Sequence, residues 1–310
     1  MALVFPGQGA QAPGMGAELI GAGLSLSLLD VASGQGLDLS KLLIDGTADD
    51  LRPTQVAQPA LYYCGVALGR RVQDLGLRPR LAAGHSLGEY CALVVAGALD
   101  AEDGMWLVLE RGRLMAAAPE GTMAAVLGLG KGTLSQICQE ASSAGDCCVV
   151  ANDNCPGQLV ISGSLEGVRV VSERALEEGA RRVIPLSVGG AFHSPLMAEA
   201  AREFAAAVDE ITIREPAFPV GSGALGRLVS SADEIRQSLR VQLESPVRWT
   251  EVVMAMAGTG TFLECGPGNT LAALIRRTLE GVTVLPVGSP AQAEAAIGLV
   301  LDGASLAARP

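Results

Sequence analysis

The chain has 310 residues, of which 49% are hydrophobic and 39 are glycine, so it can bury a sizeable core, and its length favours two lobes. A net charge of -11 and an aromatic content of 3% argue against nucleic acid and anionic membranes as main partners. Seven cysteines without a C-x-x-C pair, and two histidines without cysteines at ligand spacing, argue against a metal site. We expect reduced, buried thiols, a cytoplasmic protein, and no membrane span, because no run of about 18 apolar residues occurs.

The chain up to residue 119 has the pattern of an open α/β sheet with flanking helices. A glycine-rich loop at 6–11 follows an apolar first strand, which places backbone N–H groups at the carboxyl edge of the sheet, where such sheets bind ligands. The loop lacks the Walker and dinucleotide-binding patterns, so it is free to form half of an oxyanion hole. Strands are predicted at 3–5 and 81–84, and helices at 17–29, 37–44, 54–75, 89–96 and 100–115, the last with Asp100 as N-cap.

The pattern changes near residue 120. Strands predicted at 122–127, 147–151, 158–162 and 181–186, with helices at 133–142 and 165–178, give the β-α-β-β-α-β order of a ferredoxin-like unit. Alternation of strands and helices then resumes, with helices at 196–209, 233–243, 249–258 and 270–279, strands at 218–222, 261–264 and 282–287, and a frayed end at 303–310. We therefore predict an α/β lobe from residues 1–119 and 189–310, interrupted by an inserted ferredoxin-like lobe at 120–188.

The stretch GHSLGEY at 84–90 carries the pattern G-x-S-x-G. An apolar strand precedes it and a proline-free helix follows, so Ser86 is predicted to lie on a sharp turn between Gly84 and Gly88. There its hydroxyl is open to a substrate, and the helix N-terminus aims free N–H groups at the same point. Ser86 is the candidate nucleophile, and on this motif alone a tight turn with an incidental serine remains the alternative.

A serine nucleophile needs a base, and the chain has only two histidines. His85 directly precedes Ser86, and we expect it on the opposite face, because neighbouring side chains on an extended strand alternate. His193, within GAFHSPLM at 190–197, is therefore the candidate base. The competing interpretation is a histidine with a purely structural place in the core or on the surface.

Four segments occur in the order typical of one family. They are FPGQGAQ at 5–11, GHSLGEY at 84–90, ERGRLM at 110–115 and AFHSPLM at 191–197. With them, and with QLESPVRW at 242–249 and ECGPG at 264–268, the chain resembles the malonyl-CoA:acyl carrier protein transacylases and the acyltransferase domains of fatty acid and polyketide synthases. The resemblance implies an α/β-hydrolase-like large lobe with an inserted ferredoxin-like small lobe. It also implies a ping-pong S-malonyltransferase that uses no cofactor, malonyl-CoA being its substrate.

The resemblance gives a role to residues at seven positions that match the family's motifs. They are Ser86 as nucleophile, His193 as general base, Gln8 and Leu87 as backbone donors of the oxyanion hole, Arg111 as the clamp on the malonyl carboxylate, Gln242 as the carbonyl that orients the histidine, and Phe192 as a selectivity residue. A forked guanidinium suits a carboxylate because it binds bidentately and stays charged. The alternative for Arg111 is an ordinary surface arginine, which is what we predict for Arg113. A bulky Phe192 leaves little room for a methyl branch on the acyl group.

The resemblance names malonyl-CoA and an acyl carrier protein as partners but leaves the carrier open. Segment PVGSGALG at 219–226 departs from the Ser-Asn-Val type expected in the housekeeping enzyme, so a trans-acting polyketide acyltransferase and the transacylase subunit of malonate decarboxylase stay as alternatives. Arginine pairs at 70–71, 181–182 and 276–277 are candidates for a carrier dock. A serine thioesterase or hydrolase is disfavoured, because an H-G-G-G-type segment is missing and His193 lies mid-chain. A non-catalytic interaction protein is disfavoured by the joint presence of Ser86, His193 and Arg111.

Overall fold

The computed structural model describes residues 1–143 and 145–307. Within these residues the strands are β1 Ala2–Phe5, β2 Leu81–Gly84, β3 Thr122–Leu127, β4 Cys148–Cys155, β5 Gln158–Gly163, β6 Arg182–Pro185, β7 Val220–Ser222, β8 Arg227–Val229, β9 Thr261–Cys265 and β10 Thr283–Val287. The helices are α1 Ala17–Gly21, α2 Ser27–Gly34, α3 Leu39–Asp45, α4 Thr54–Asp74, α5 Gly88–Val95, α6 Ala101–Ala117, α7 Lys131–Ser143, α8 Leu165–Glu177, α9 Ala198–Glu210, α10 Ala232–Val241, α11 Trp249–Ala255, α12 Thr270–Thr278 and α13 Pro290–Ala307, with a 3-10 turn at Pro195–Met197. No helix in this part of the chain has the length and apolar character needed to cross a membrane.

The larger sheet has the strand order β10-β9-β1-β2-β7-β8, in which β8 alone runs antiparallel to its neighbour among the described strands. Its central strand β1 is wholly buried, as expected for a sheet covered on both faces. Phe5 pairs with Gly84, so β1 and β2 end at the same edge. The loops that follow these two strands therefore meet at the carboxyl edge of the sheet, as the sequence predicts.

Two helices carry polar side chains toward that edge. Helix α4 is buried along most of its length and packs against α5 and α6. Within its buried stretch lies Gln58, and α6 carries Arg111 into the same interior. The predicted N-cap of α6 is confirmed, since the Asp100 carboxylate accepts from the Glu102 N–H at 3.0 Å. The two helices therefore bring polar groups of distant sequence to one place.

The smaller sheet has the strand order β4-β5-β3-β6, and all its pairings are antiparallel. Helices α7 and α8 pack against it, so the β-α-β-β-α-β order predicted for this stretch is confirmed. Strand β4 continues to Cys155 instead of ending at residue 151. This extension pairs with Val247 in the loop after α10. The Val247 N–H donates to Ala151 O at 2.8 Å, and its carbonyl accepts from the Asp153 N–H at 2.9 Å. The chain therefore has a mixed α/β fold with two connected sheets.

Several local predictions are wrong. The single helix expected at 17–29 is two helices, because Gly23 and Ser25 have φ of 70° and 52° and break the turn between α1 and α2. Strand β8 was not expected. The frayed end predicted at 303–310 is helical to residue 307, and its last three residues lie outside the described range. All the cysteines are free, and only Cys147 is partly exposed instead of buried.

Candidate active site

Ser86 lies on a left-handed turn between β2 and α5. Its φ is 51°, a backbone conformation that side-chain-bearing residues rarely adopt and that is typical of functional turns. The flanking glycines are sterically required, because a Cβ on Gly84 would lie 1.8 Å from the Gly88 carbonyl carbon, and one on Gly88 would lie 2.1 Å from Phe5 O. The spacing G-x-S-x-G therefore encodes the close packing that holds the hydroxyl above the N-terminus of α5.

The imidazole of His193 contacts the Ser86 hydroxyl, with 2.8 Å between Nε2 and Oγ. On its other side, Nδ1 lies 3.0 Å from the main-chain oxygens of both Gln242 and Ser245. Carbonyl oxygens only accept, so Nδ1 carries the proton and Nε2 is the acceptor for the serine hydroxyl. Burial, with a smaller effect from the positive charge of Arg111, lowers the pKa of His193 to about 3. At neutral pH the ring is therefore a neutral base.

Arg111 is 1% exposed, yet in the described part of the chain its guanidinium hydrogen-bonds only neutral groups. It donates to Ser86 Oγ at 3.0 Å, to Gln58 Oε1 at 2.7 Å and, through Nε, to Gln242 Oε1 at 3.3 Å. Its Cζ also lies 5.7 Å from the centre of the Tyr90 ring. Within residues 1–143 and 145–307, Arg111 forms no salt bridge. The positive charge beside the Ser86 hydroxyl therefore has no carboxylate partner among the described residues.

Arg113, two residues further along α6, is a surface residue as predicted. Its side chain is 59% exposed and forms an ion pair with Glu110 at 2.6 Å. The two arginines of this motif therefore differ completely in surroundings, and only Arg111 faces the nucleophile.

The two predicted oxyanion donors border the same cavity as Ser86. Leu87 is the residue before the first turn of α5, and Gln8 lies in the loop after β1. Neither backbone N–H has a hydrogen-bond acceptor in the part of the chain that is described. The Gln8 side chain is held by Thr54, whose hydroxyl donates to Oε1 at 2.7 Å. Two free N–H groups beside a nucleophile are what a developing oxyanion requires.

The cavity above Ser86 has a volume of about 400 Å³ and is bounded by the loops after β1 and β2 and by strands β3 and β4 of the smaller sheet. Its apolar wall is formed by five side chains, one of them Phe192, which is 5% exposed. They are Met115, Met123, Leu186, Val188 and Phe192. Ser86, His193 and Arg111 belong to its polar lining, so the cavity brings the candidate nucleophile and a buried cation next to apolar side chains.

The chain is similar to known acyltransferases along nearly its whole length. The model of a family described as the acyl transferase domain matches residues 2–300. The chain belongs to that family. It is 40% identical over 304 residues to the malonyl CoA-acyl carrier protein transacylase of Bacillus subtilis, covering 96% of each protein.

Solved structures of the acyltransferase family superpose closely on this chain. FabD from Acinetobacter baumannii is 38% identical, with a TM-score of 0.91 and coverage of 97% of this chain and 98% of the other. A malonyl-transacylase in complex with its type II PKS acyl-carrier protein is also 38% identical, with a TM-score of 0.90 and coverage of 96% and 98%. The fold of this acyltransferase is therefore that of the solved transacylases.

Four contacts of the acyltransferase site were not predicted from its sequence. Gln58 supports Arg111, and Ser245 supplies a second carbonyl to His193. Glu89 receives the Gln242 amide at 2.9 Å. Asn154 pairs with His85 at 2.8 Å. Gln58 and Glu89 could have been noticed as polar residues inside apolar helices. The contacts of Ser245 and Asn154 depend on how segments distant in sequence approach each other.

The reasoning that placed His85 on the opposite face from Ser86 is wrong. Strand β2 ends at Gly84, so strict alternation does not extend to His85, and both side chains border the cavity. What separates the two histidines is hydrogen bonding. His85 Nε2 is taken by Asn154 Oδ1, whereas His193 Nε2 faces the nucleophile. The choice of His193 as base thus rests on distance.

Proposed function

We propose that this acyltransferase moves a malonyl group from malonyl-CoA to the phosphopantetheine thiol of an acyl carrier protein through a malonyl-Ser86 intermediate. The observation that carries the proposal is the buried Arg111 guanidinium, which lies 3.0 Å from Ser86 Oγ and forms no salt bridge within the described residues. A hydrolase of neutral esters has no use for such a group. A malonyl thioester brings a free carboxylate that a forked guanidinium binds bidentately.

In the first half-reaction, Ser86 Oγ attacks the thioester carbonyl while His193 Nε2 takes the hydroxyl proton. The carbonyl oxygen becomes an oxyanion, which the N–H groups of Gln8 and Leu87 receive. Collapse of this intermediate breaks the carbon–sulfur bond, and the departing CoA sulfur takes the proton from His193. The products are free CoA thiol and the malonyl ester of Ser86.

The second half-reaction runs the same steps with the carrier thiol as nucleophile. His193 takes the thiol proton, the sulfur attacks the ester carbonyl, and Ser86 leaves with the proton returned to its oxygen. A carboxylate triad member is not needed, because the Gln242 and Ser245 carbonyls fix the imidazole tautomer. Phe192 forms part of the cavity wall and is proposed to exclude an α-methyl group, an effect typically worth about 1–3 kcal/mol.

The two sheets support a division of the chain into two lobes. We propose that residues 1–119 and 189–310 form an α/β-hydrolase-like lobe and that residues 120–188 form an inserted ferredoxin-like lobe. The strand order β4-β5-β3-β6 and the largely parallel larger sheet support this assignment. A cytoplasmic location and the lack of a cofactor remain predictions.

The carrier decides the pathway. Fatty acid synthesis, a polyketide synthase served in trans and malonate decarboxylase all use this chemistry with different carriers. The relative solved with its type II PKS acyl-carrier protein makes a polyketide carrier a specific second candidate.

The experiment is to mix the protein with malonyl-CoA and follow the mass of each component, with and without a carrier protein. We expect a malonyl adduct on the enzyme that maps to Ser86 and moves to the carrier thiol. Release of free malonate without transfer would support a hydrolase. No adduct, or an adduct on a cysteine, would contradict the proposed mechanism.

A further inference from the structure

Glu89 is a buried carboxylate that the mechanism above does not use. It lies in the first turn of α5, three residues after Ser86, and is 2% exposed. Its oxygens accept from three donors: Ser238 Oγ at 2.9 Å, Gln242 Nε2 at 2.9 Å and Gly223 N at 3.1 Å. An ionised carboxylate accepts from all three donors as they stand. A protonated acid or an amide keeps the two N–H partners only if its own donor faces Ser238 Oγ, whose proton can turn to Ser222 Oγ at 2.6 Å. The two N–H groups therefore require an acceptor oxygen at this position.

The Gln242 side chain joins this carboxylate to the arginine. Its Nε2 donates to Glu89, which leaves Oε1 to accept from Arg111 Nε at 3.3 Å and from the Tyr90 hydroxyl at 3.1 Å. An amide has donors only on nitrogen, so the carboxylate fixes which end faces Arg111. The main-chain oxygen of the same Gln242 accepts from His193 Nδ1. One residue thus connects Glu89 to both the cation and the base.

Glu89 and Arg111 are too far apart to form a direct salt bridge, which leaves the guanidinium available to a substrate carboxylate. Among the described residues, Arg111 forms no ion pair with Glu89 or any other carboxylate closer than 4.0 Å, the limit for a salt bridge. A direct pair would occupy the fork that the substrate needs. Through the Gln242 amide, the negative charge still compensates the buried cation, while Arg111 Nη1 and Nη2 remain directed at Gln58 and Ser86.

We propose that Glu89 is a positioning residue for acyl selectivity: by holding the Gln242 amide, it keeps the Arg111 fork directed at the malonyl carboxylate. This inference rests on the proposed malonyl transfer. Burial raises the pKa of Glu89, and the hydrogen bonds from Gly223, Gln242 and Ser238 oppose that rise. The role is separate from proton transfer, because the Glu89 carboxylate accepts from Ser238, Gln242 and Gly223, and not from the Ser86 hydroxyl or the imidazole of His193.

The test compares Glu89→Gln with Glu264→Gln. Glu264 is a matched control, since it is also fully buried, accepts from the Leu271 and Ala272 N–H groups at 2.9 and 2.8 Å, and does not border the cavity. Glu89→Gln removes the negative charge that compensates Arg111 through the Gln242 amide. Unless its new NH2 group faces Ser238 Oγ, that group also opposes the N–H of Gln242 or Gly223, and rotation of the Gln242 amide would then turn a donor toward Arg111. We expect the ratio of kcat/KM for malonyl-CoA over acetyl-CoA to fall about tenfold in Glu89→Gln. The ratio should stay at the wild-type value in Glu264→Gln, even if its Tm falls.

A ratio that is unchanged in Glu89→Gln, or that falls equally in both variants, would overturn the inference. If Glu89→Gln does not fold, Ser238→Ala carries the test, because it removes one donor to the carboxylate and leaves both charges. A ratio lowered by about two- to fivefold would then support the role, and an unchanged ratio would refute it. A wild-type protein that forms no malonyl-Ser86 would overturn the proposed function and this inference with it. Acylation with an unmoved ratio would overturn this inference alone.

Discussion

Burial lowers the pKa of both His85 and His193, but only the hydrogen bonds of His193 suit a catalytic base. Both rings border the cavity above Ser86, and burial lowers the pKa of each. The His85 ring packs edge-on to Trp249, with 5.7 Å between ring centres, and its Nε2 pairs with Asn154 on β4. The His193 ring instead has its Nδ1 held by two carbonyls and its Nε2 free for the Ser86 hydroxyl. A neutral, buried imidazole is therefore not enough to make a base.

The acyltransferase fixes the tautomer of His193 without a carboxylate. Two main-chain oxygens on one nitrogen leave the other nitrogen as the acceptor, and they add no negative charge that would raise the pKa of the ring. On the His85 side, Nε2 lies 2.8 Å from Asn154 Oδ1 and 3.5 Å from Asn152 Nδ2. The shorter contact favours Nε2 as donor to Asn154, and both contacts direct that nitrogen to β4 instead of to the Ser86 hydroxyl. We expect His85 to support the wall of the cavity that β4 contributes.

The largest expected effect comes from removing the Ser86 hydroxyl, which His193 contacts and His85 does not. Ser86→Ala should lower turnover about 10⁶-fold, as losses of a nucleophile from a serine–histidine pair do. Intact-mass spectrometry after mixing with malonyl-CoA should show an adduct on the wild type and none on the variant. An adduct that persists in Ser86→Ala would place the nucleophile elsewhere and remove the reason to prefer His193.

Removal of each histidine tests the comparison directly. His193→Ala should slow acylation by about 10²- to 10⁴-fold, the usual contribution of a general base, and should leave the fold intact. His85→Ala should change acylation far less, because it removes a ring that contacts Asn154 and Trp249. Stopped-flow release of CoA measures both. If His85→Ala loses activity and His193→Ala does not, the assignment of the base is wrong.

Removal of Arg111 tests whether this residue binds the malonyl carboxylate, a role distinct from the proton transfer proposed for His193. Arg111→Ala should lower kcat/KM for malonyl-CoA by roughly 30- to several-thousand-fold, since a substrate carboxylate would lose its charged partner. Transfer from acetyl-CoA should be equal or faster, because no unpaired guanidinium then borders the pocket. Arg111→Lys should restore malonyl transfer only in part, because lysine keeps the charge and loses the fork.

The control for this prediction lies on the same helix. Arg113→Ala removes an exposed guanidinium paired with Glu110, and both substrates should be transferred at wild-type rates. If Arg111→Ala lowers both substrates by the same factor, Arg111 supports the structure or the CoA moiety instead of the carboxylate.

The sequence was sufficient for the parts of the site that local sterics encode. Ser86 could be placed because Gly84 and Gly88 are required where backbones nearly touch, and this requirement survives in a short motif. The larger sheet and the β-α-β-β-α-β stretch could be predicted because buried strands and amphipathic helices have periodic patterns. His193 was identified mainly because the chain has so few histidines.

What could not be predicted depends on contacts between distant segments. The Ser245 carbonyl reaches His193 only because the loop after α10 passes behind the ring, and a carbonyl has no signature in sequence. Asn154 reaches His85 because β4 runs four residues past its predicted end. The break between α1 and α2 was missed because Ser25 carries a side chain into a left-handed conformation that propensity assigns to glycine.

The smallest expected effect is that of pH, because a weak dependence of kcat/KM on pH distinguishes His193 from an ordinary histidine. A base with a pKa of about 3 stays neutral as the pH falls from 8 to 5, so kcat/KM for acetyl-CoA should remain nearly flat over that range. With a usual pKa of about 6.5, the neutral fraction would fall about 30-fold by pH 5. Acetyl-CoA is the right substrate, because it has no acyl carboxylate to titrate. The charge of Arg111 helps to lower this pKa, so Arg111→Ala should move the acid limb of the profile to higher pH. A wild-type inflection near pH 6.5 would show that His193 is more hydrated than its burial implies.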